Sequence, residues 1–469
     1  MTKRRFPCSC VSALRLGTSL AALALAAGCS FIPEYARPTP PLPDKFADAG
    51  DAAPTALPGW RDYFTDPALQ ALIEAALAHN RDLKLALARV EEAHALAGLA
   101  RADRFPTLDA QASASRSRTP ADLSGSGSAR TLSRYDLGLG ITAFELDFWG
   151  RVAALDEAAK AQYLASEEAA RAFRVSLIGD VASTWLQLAE LAERERLAHA
   201  TLKSREESLE LTRRRRDAGL ASELDVLAAE SLTEAVRGQW AELGRQRRQT
   251  ENALQLFTGM SLTLPPPDAL SARPPMTELA PGLPSEALLR RPDVRAAEQR
   301  LIAANANIGA ARAAFFPRIA LTASAGTASS ELSGLFGAGS STWLFQPVLR
   351  LPLFDAGRNQ ANLDLAEARK LSAVADYEKT LQQAFREVAD ALAAQASYRE
   401  QLAAQTANLQ ASRARLARVK ARAETGIASY LEVLDASREA FAAEQAVVST
   451  RRQWLGAQVA LFRALGGGE

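Results

Sequence analysis

Asp82-Leu-Lys-Leu-Ala86 opens a run that ends at Phe105-Pro106, and Asp293-Val-Arg-Ala-Ala297 opens a second run that ends at Phe316-Pro317. Both ends of the match are 211 residues apart. Further along, Gly150-Arg151 returns as Gly357-Arg358. Gly219-Leu-Ala-Ser222 with Asp225-Val-Leu227 likewise returns as Gly426-Ile-Ala-Ser429 with Glu432-Val-Leu434, now at a spacing of 207. The slip falls between Pro106 and Gly150, where a loop absorbs it. A duplication on this scale dictates the fold, so every other feature is read within it.

Each half reads as short helix, two strands, long helix, tight turn, long helix. In the first half Asp66 is a helix N-cap and Pro67 suits the first turn. The helical pattern runs on, with a break near Asn80, until Phe105-Pro106 stops it. Leu108, Ala110, Ala112 and Ala114 then alternate with Thr107, Asp109, Gln111 and Ser113, and Tyr135, Leu137, Leu139, Ile141 and Ala143 repeat the alternation. A period of two marks strands with one apolar face. Between them Pro120 to Ser128, rich in Gly and Ser, is a loop. In the second half the strands are Ile319, Leu321, Ala323, Ala325 and a segment from Thr342, separated by a loop from Ser329 to Ser341. Pro347 and Pro352 are expected to end the last strand early, because proline cannot donate to a ladder.

Strands of about ten residues suit a tilted bilayer crossing. Four of them cannot close a barrel, and an open edge cannot sit in hydrocarbon. Several chains must therefore share one barrel. Two chains supply eight strands with a filled interior, whereas three supply twelve and begin to open a lumen, so a transport role favours three.

Two proline-free stretches, 152–216 and 359–424, would each extend roughly 100 Å as helices. Leu177, Val181, Trp185 and Leu188 follow three-and-four spacing, as do Leu371, Val374, Leu381, Phe385, Val388 and Leu392, so apolar seams are expected there with alanine on the flanks. The rods turn back at Gly219 and Gly426, where glycine takes the left-handed conformation, and Ser222 and Ser429 cap the returning helices.

At the N-terminus Lys3, Arg4 and Arg5 precede an apolar run, Leu16 to Gly28, too short for a mature membrane helix: a signal peptide. Leu25-Ala-Ala-Gly-Cys29-Ser30 has the small residues and cysteine of a lipidation site, although Leu25 stands one place further from Cys29 than usual. Cys8 and Cys10 fall in the removed segment, which leaves Cys29 without a disulfide partner in the exported chain. With 55 basic and 54 acidic side chains there is no polarity that would recruit nucleic acid. Past residue 28 no apolar stretch reaches membrane-helix length, so any crossing is made by strands. The chain divides into a signal peptide (1–28), a lipid-anchored extended linker (29–59), a first structural repeat (60–262), a proline-rich inter-repeat linker (263–284) and a second repeat (285–469).

Seven motifs carry a family resemblance: Pro33-Glu-Tyr35-Ala-Arg37-Pro38 after the lipobox, Trp60-x3-Phe64-x-Asp66-Pro67-x-Leu69, Phe144-Glu-Leu-Asp-Phe-Trp-Gly-Arg151, Arg290-Arg-Pro-Asp293, Ala303-Ala-Asn305-Ala-x-Ile308-Gly309, Phe316-Pro317 and Leu353-Phe-Asp355-x-Gly357-Arg358. In this order they resemble the lipoprotein outer-membrane factors of tripartite efflux pumps, the NodT and OprM relatives of TolC. The resemblance implies an α+β membrane protein: a homotrimer whose twelve-stranded outer-membrane barrel, four strands per chain, continues into a periplasmic coiled-coil barrel. It also implies a periplasmic adaptor, an inner-membrane pump that supplies the energy, and no cofactor beyond the diacylglyceryl and N-acyl groups on Cys29. Ser30 after that cysteine implies sorting to the outer membrane. Gly219, Leu220, Ala221 and Ser222, with Gly426, Ile427, Ala428 and Ser429, match the adaptor-contacting hairpin tips. Asp225, Glu432 and Asp435 match acidic rings at the constriction. Read from the residues alone, the same acids are equally at home near helix N-termini.

The remaining features point to structure. Arg213 to Arg216 is a helix end favoured by the dipole. His79, His94 and His199 stand in no metal-ligand motif. Phe144, Phe148 and Trp149 stand beside a strand-to-helix junction and are read as packing there, with an interfacial aromatic belt as the alternative. No nucleophile, base and orienting group assemble, which disfavours an enzyme. A channel for protein secretion shares the architecture, and a periplasmic coiled-coil adaptor shares the hairpins but needs no strands of membrane-crossing length.

Overall fold

A computed structural model describes residues 30–39, 43, 58–125, 127–261, 270, 276 and 285–468. The signal peptide, Cys29 and nearly all of the inter-repeat linker lie outside the described residues. The elements are α1 (Trp60–Tyr63), α2 (Pro67–His79), α3 (Arg81–Ala102), β1 (Asp109–Thr119), β2 (Arg130–Leu146), α4 (Arg151–Asp217) and α5 (Glu223–Thr258), followed by α6 (Pro292–Ala313), β3 (Arg318–Ser329), β4 (Ser341–Arg350), α7 (Arg358–Glu424) and α8 (Tyr430–Ala464). Among the described residues no helix is long and apolar enough to cross a membrane.

Two compact units result, and each draws on both sequence repeats. The first holds the described residues up to Pro38 with Val90–Ser166 and Ala297–Tyr377; the second holds the rest.

The first unit contains one sheet of order β1-β2-β3-β4, antiparallel throughout. The pairing of β2 with β3 joins the two repeats. Its register slips between Ile141 and Phe144, where Ala143 takes a positive φ of 52° and donates its amide to the Thr322 hydroxyl. Gly138 and Gly326 lie opposite one another in this pairing. A Cβ on Gly326 would come within 2.2 Å of the Leu137 carbonyl oxygen, so only glycine fits. The strand ends extend beyond the alternating cores read from sequence. Pro347 does not end β4: it pairs with Leu321 and the strand continues to Arg350. Being the outer strand of the chain's sheet, β4 tolerates a missing donor.

The long helices carry their seams on smaller residues than expected. Leu177, Val181, Trp185 and Leu188 are buried as the spacing requires. Along the start of α4, however, buried Val152 is followed by buried Ala154, Ala158, Ala161 and Ala165, and along α7 the buried positions are Ala366, Tyr377, Leu381, Ala384, Val388 and Ala391. Leu371, expected in the seam, is 71% exposed. Alanine thus forms the contact itself, which lets helix backbones approach closely at no cost in helix propensity.

In the second unit, Tyr63, Phe64 and Phe462 form an aromatic cluster with centroids 4.8–5.2 Å apart, and the buried Tyr63 hydroxyl donates to the Gln458 carbonyl. Such ring pairs contribute about 0.5–1.5 kcal/mol each beyond their buried area. Asp66 accepts amides from Ala68 and Leu69 as the α2 cap and also accepts the Trp185 indole N–H at 2.9 Å, tying that cap to α4.

One device recurs in both repeats of this unit. The Asn80 amide group donates to the Phe257 carbonyl at the end of α5, and Arg291 donates to the Ala464 carbonyl at the end of α8. Gly259 and Gly466, equivalent under the duplication, follow those ends with φ of 67° and 90°. A Cβ would meet the His79 carbonyl oxygen at 2.5 Å in the first copy and the Arg291 Cα at 3.3 Å in the second. The returning hairpin is therefore clamped at its end by a donor and a bare glycine. Gly259→Ala is expected to cost about 1–3 kcal/mol from combined φ strain and clash, and Gly466→Ala a similar amount. Gly238→Ala, in open space on α5, should hold or raise stability by up to about 1 kcal/mol. Thermal denaturation followed by helix ellipticity separates the two outcomes.

Candidate functional site

Three features outside ordinary core packing stand out: the faces of the sheet, the segment ahead of α1 and the two hairpin tips. On one face of the sheet the register aligns Leu146, Ile319 and Leu349, then Phe144, Leu321 and Pro347, then Ile141, Ala323 and Phe345, then Leu139, Ala325 and Trp343, with Ala110 beside Leu139. The opposite face carries mostly small and polar groups, among them Gln111, Ser113, Asp136, Gly138, Ser324, Thr342 and Gln346. The apolar face is open: Trp343 is 78% exposed and Leu349 62%. Among the described residues β1 and β4 pair along one side only.

Residues 30–38 form no helix or strand but are docked along α6 in the opposite direction. Arg37 makes a bidentate pair with Glu298 at 2.7 and 3.0 Å, and the Tyr35 hydroxyl donates to the same carboxylate at 3.1 Å. Burial, then the Glu298 charge, pushes the Tyr35 hydroxyl pKa upward, so it stays a donor. Asn305 donates to the Pro33 carbonyl at 2.7 Å, Ile32 lies on Gly309 so closely that a Cβ would sit 2.6 Å from its Cγ1, and Phe31 stacks on Phe316 at 4.6 Å. Phe316 stacks in turn on Trp149, whose indole donates to the Pro317 carbonyl. Motifs far apart in sequence are thus the two sides of one contact. Trp149 packs at the strand-to-helix junction as expected.

The hairpin tips are built alike. Gly219 (φ 72°) and Gly426 (φ 73°) end α4 and α7, with the amide of Leu220 bonded back to the Arg215 carbonyl and that of Ile427 to the Arg422 carbonyl. Ser222 and Ser429 then begin α5 and α8 with reciprocal capping boxes. The Ser222 hydroxyl and amide both donate to Asp225 at 2.7 and 2.9 Å, and the Ser429 hydroxyl and amide both donate to Glu432 at 3.1 Å. The Ser222 hydroxyl, and the Ser429 amide and hydroxyl, hold these two carboxyls below their ordinary pKa values. Asp435 is differently placed, paired with Arg438 at 2.8 Å and Arg415 at 3.4 Å. Within one chain the three acids are therefore two helix caps and one member of an arginine network.

Sequence reading placed Leu220 and Ile427 at the tips but missed other residues here. Leu224 and its equivalent Leu431 join them as exposed apolar side chains, the four being between 64% and 78% open. Their 207-residue correspondence was the available signal. The Tyr430 and Ser208 hydroxyls, 2.6 Å apart, link α8 to α4, and no motif foretells that bond. The basic run near Arg213 is laced to Glu230, Glu210, Asp217 and Glu223. His94 lies beside Tyr163 and His199 beside Trp240.

A duplicated chain offering an open sheet with one apolar face and two capped hairpins is of the outer-membrane channel class. The family model described as outer membrane efflux protein matches residues 72–260 and 283–467, and the chain belongs to that family. It is 46% identical over 456 residues to the toluene efflux pump outer membrane protein TtgI of Pseudomonas putida, covering 95% of this chain and 97% of the relative. It is 47% identical over 473 residues to outer membrane protein OprJ of Pseudomonas aeruginosa, covering 99% and 97%. The solved open state of the MtrE outer membrane channel of Neisseria gonorrhoeae superposes with a TM-score of 0.85 at 37% identity, covering 94% and 98%. The protein is an outer-membrane component of an efflux pump.

The caps make the tips sensitive to acid. A folded-state pKa below the unfolded value contributes stability that is complete above the unfolded pKa and disappears as pH falls through the folded one. Intrinsic-rate-corrected hydrogen exchange of the first amides of α5 and α8 should therefore accelerate as pH falls below the ordinary carboxylate range, about 4. Ser222→Ala and Ser429→Ala should produce similar local fraying at neutral pH, each worth about 1 kcal/mol.

Proposed function

We propose that three copies of this chain share one twelve-stranded barrel in the outer membrane, and that the hairpins form a conduit on its periplasmic side. The observation that carries this reading is the open sheet. From Leu146 through Phe144, Ile141, Leu139 and Leu137 to Tyr135, the apolar face of β2 runs beside β3 from Ile319 to Ser329, five two-residue steps on β3, with one extra residue of β2 taken up by the slip between Ile141 and Phe144. At about 3.4 Å per residue and a tilt near 45° these cover about 24 Å of bilayer normal, matching the apolar band of outer-membrane barrels. Backbone groups on the outer edges of β1 and β4 need partners in hydrocarbon, and β1 of one copy beside β4 of the next supplies them. The polar face then lines the lumen.

The chain conducts and performs no bond chemistry; energy enters through an inner-membrane pump. A periplasmic adaptor joins the two by seating on the tips, where Gly219 to Ser222 and Gly426 to Ser429 fix the backbone and Leu220, Leu224, Ile427 and Leu431 offer apolar contact. Threefold repetition brings Asp225, Glu432 and Asp435 toward the axis as an acidic constriction that favours cations, held closed by the Asp435 pairs with Arg415 and Arg438. The capping roles of Asp225 and Glu432 are compatible with this, since a capping carboxylate keeps its charge. Lipid on Cys29 adds an anchor beside the docked segment that begins at Ser30. The pump selects the cargo; the relative TtgI belongs to a toluene efflux pump.

Purified protein in a planar bilayer should conduct, and Asp435→Ala should raise the open fraction by removing the partner of Arg415 and Arg438. A bilayer that stays silent with wild type and Asp435→Ala alike would overturn the duct. Metabolic palmitate labelling should mark the wild-type chain and vanish in Cys29→Ala; label that persists in the variant would remove the anchor and leave the duct standing. Deleting the gene should sensitise cells to solvents or drugs, and the compounds affected would define the cargo.

A further inference from the structure

The apolar face of the sheet does not end at Tyr135. Continuing along β1 on the side that carries Ala110, Ala112 and Ala114, the next two residues are Arg116 and Arg118, opposite Ser133 and Thr131. Both arginines are exposed. On the other face Arg134 is held by a bidentate pair with Asp136 at 2.7 to 2.9 Å, and Arg130, opposite Thr119, shares that face. The acid nearest in the connecting turn is Asp122, within the short 3-10 turn Ala121–Leu123. The face that carries the apolar band thus ends in two cations, whereas on the polar face Arg134 is paired with Asp136.

We propose that Arg116 and Arg118 bind the phosphate groups of the glycolipid that forms the outer leaflet of the outer membrane. The inference rests on the reading that the apolar face meets lipid. Two arginines two residues apart on one strand stand about 7 Å apart and point the same way, and each guanidinium fork matches a phosphate oxygen pair. Directly along the strand lie Ala114, Ala112 and Ala110, beside Tyr135, Leu137 and Leu139. One molecule can therefore place its acyl chains on the apolar rows and its phosphates on the arginines, with the Ser133 and Thr131 hydroxyls as further donors. A free phosphate would use the arginines alone and leave the apolar rows without a role. The helices follow the other ends of the strands, through Arg151 after β2 and Arg358 after β4, so the arginine end is the loop end of the sheet.

The test measures binding of bisphosphorylated and dephosphorylated lipid A to the purified full chain reconstituted in phosphatidylcholine vesicles, with inorganic phosphate as competitor. The bisphosphorylated form should bind about tenfold or more tightly than the dephosphorylated one, as expected for charge-assisted bonds. R116Q/R118Q should abolish that preference, R118Q alone should reduce it, and R134Q should leave it intact, with strand content unchanged by circular dichroism. A double variant that retains the preference overturns the proposal, as does inorganic phosphate competing as well as the lipid does. In the same vesicles a fluorophore on Ala112→Cys, corrected for label on the parent chain, is read with brominated lipid. Quenching without phosphate preference sinks the arginine site alone, whereas absence of quenching sinks the lipid-facing assignment beneath it.

Discussion

A backbone amide in hydrocarbon has no water to fall back on, and that constraint governs this chain. Four strands present two outer edges whose donors and acceptors need partners at several kcal/mol each. In the proposed barrel, association is therefore a condition of membrane insertion and not an addition to a finished monomer. The same demand explains the composition of the sheet. Its apolar rows are exposed in the single chain, a liability in a soluble protein and a requirement in one surrounded by lipid.

The helical part answers a different constraint. Two 67-residue helices cannot be held by local propensity alone. They are held by close contact along alanine positions and, for α4, by the core that Leu177, Val181 and Trp185 share with Phe462, while the shorter returning helices are clamped at their ends through Asn80 with Gly259 and Arg291 with Gly466. The clamp uses different donors in the two repeats. What the duplication preserved is the demand for a donor at the helix end and for a residue without a Cβ.

Much of this was legible in the sequence because duplication and periodicity are local signals. Alternation around Leu137 and Leu139 located the strands, and Gly219 and Gly426 located the turns. Pro347 misled because its penalty depends on which side of the strand faces a partner, a tertiary fact. Leu371 misled because spacing identifies a stripe without saying what lies opposite it, and alanine, weakly hydrophobic, hides the seam it forms at Ala384 and Ala391. At the tips, Asp225 and Glu432 were readable as acids near helix starts, and their reciprocal bonds with Ser222 and Ser429 are what the structure adds. The docking of residues 30–38 was invisible, although Tyr35, Arg37, Asn305 and Gly309 had all been noted, because no periodic pattern links residues more than 250 positions apart.

That docking has a consequence for the order of events during biogenesis. The contacts of Pro33, Tyr35 and Arg37 join residues 261 to 272 positions apart, so the partners on α6 leave the ribosome long after the N-terminal segment has done so. Contacts of such separation form late, once loop closure has been offset by interactions elsewhere. The segment beginning at Ser30 is consequently without its binding groove until the second repeat has been synthesised and α6 has formed. Its seating reports that both halves are present, and a chain truncated before residue 298 has nothing on which to seat it.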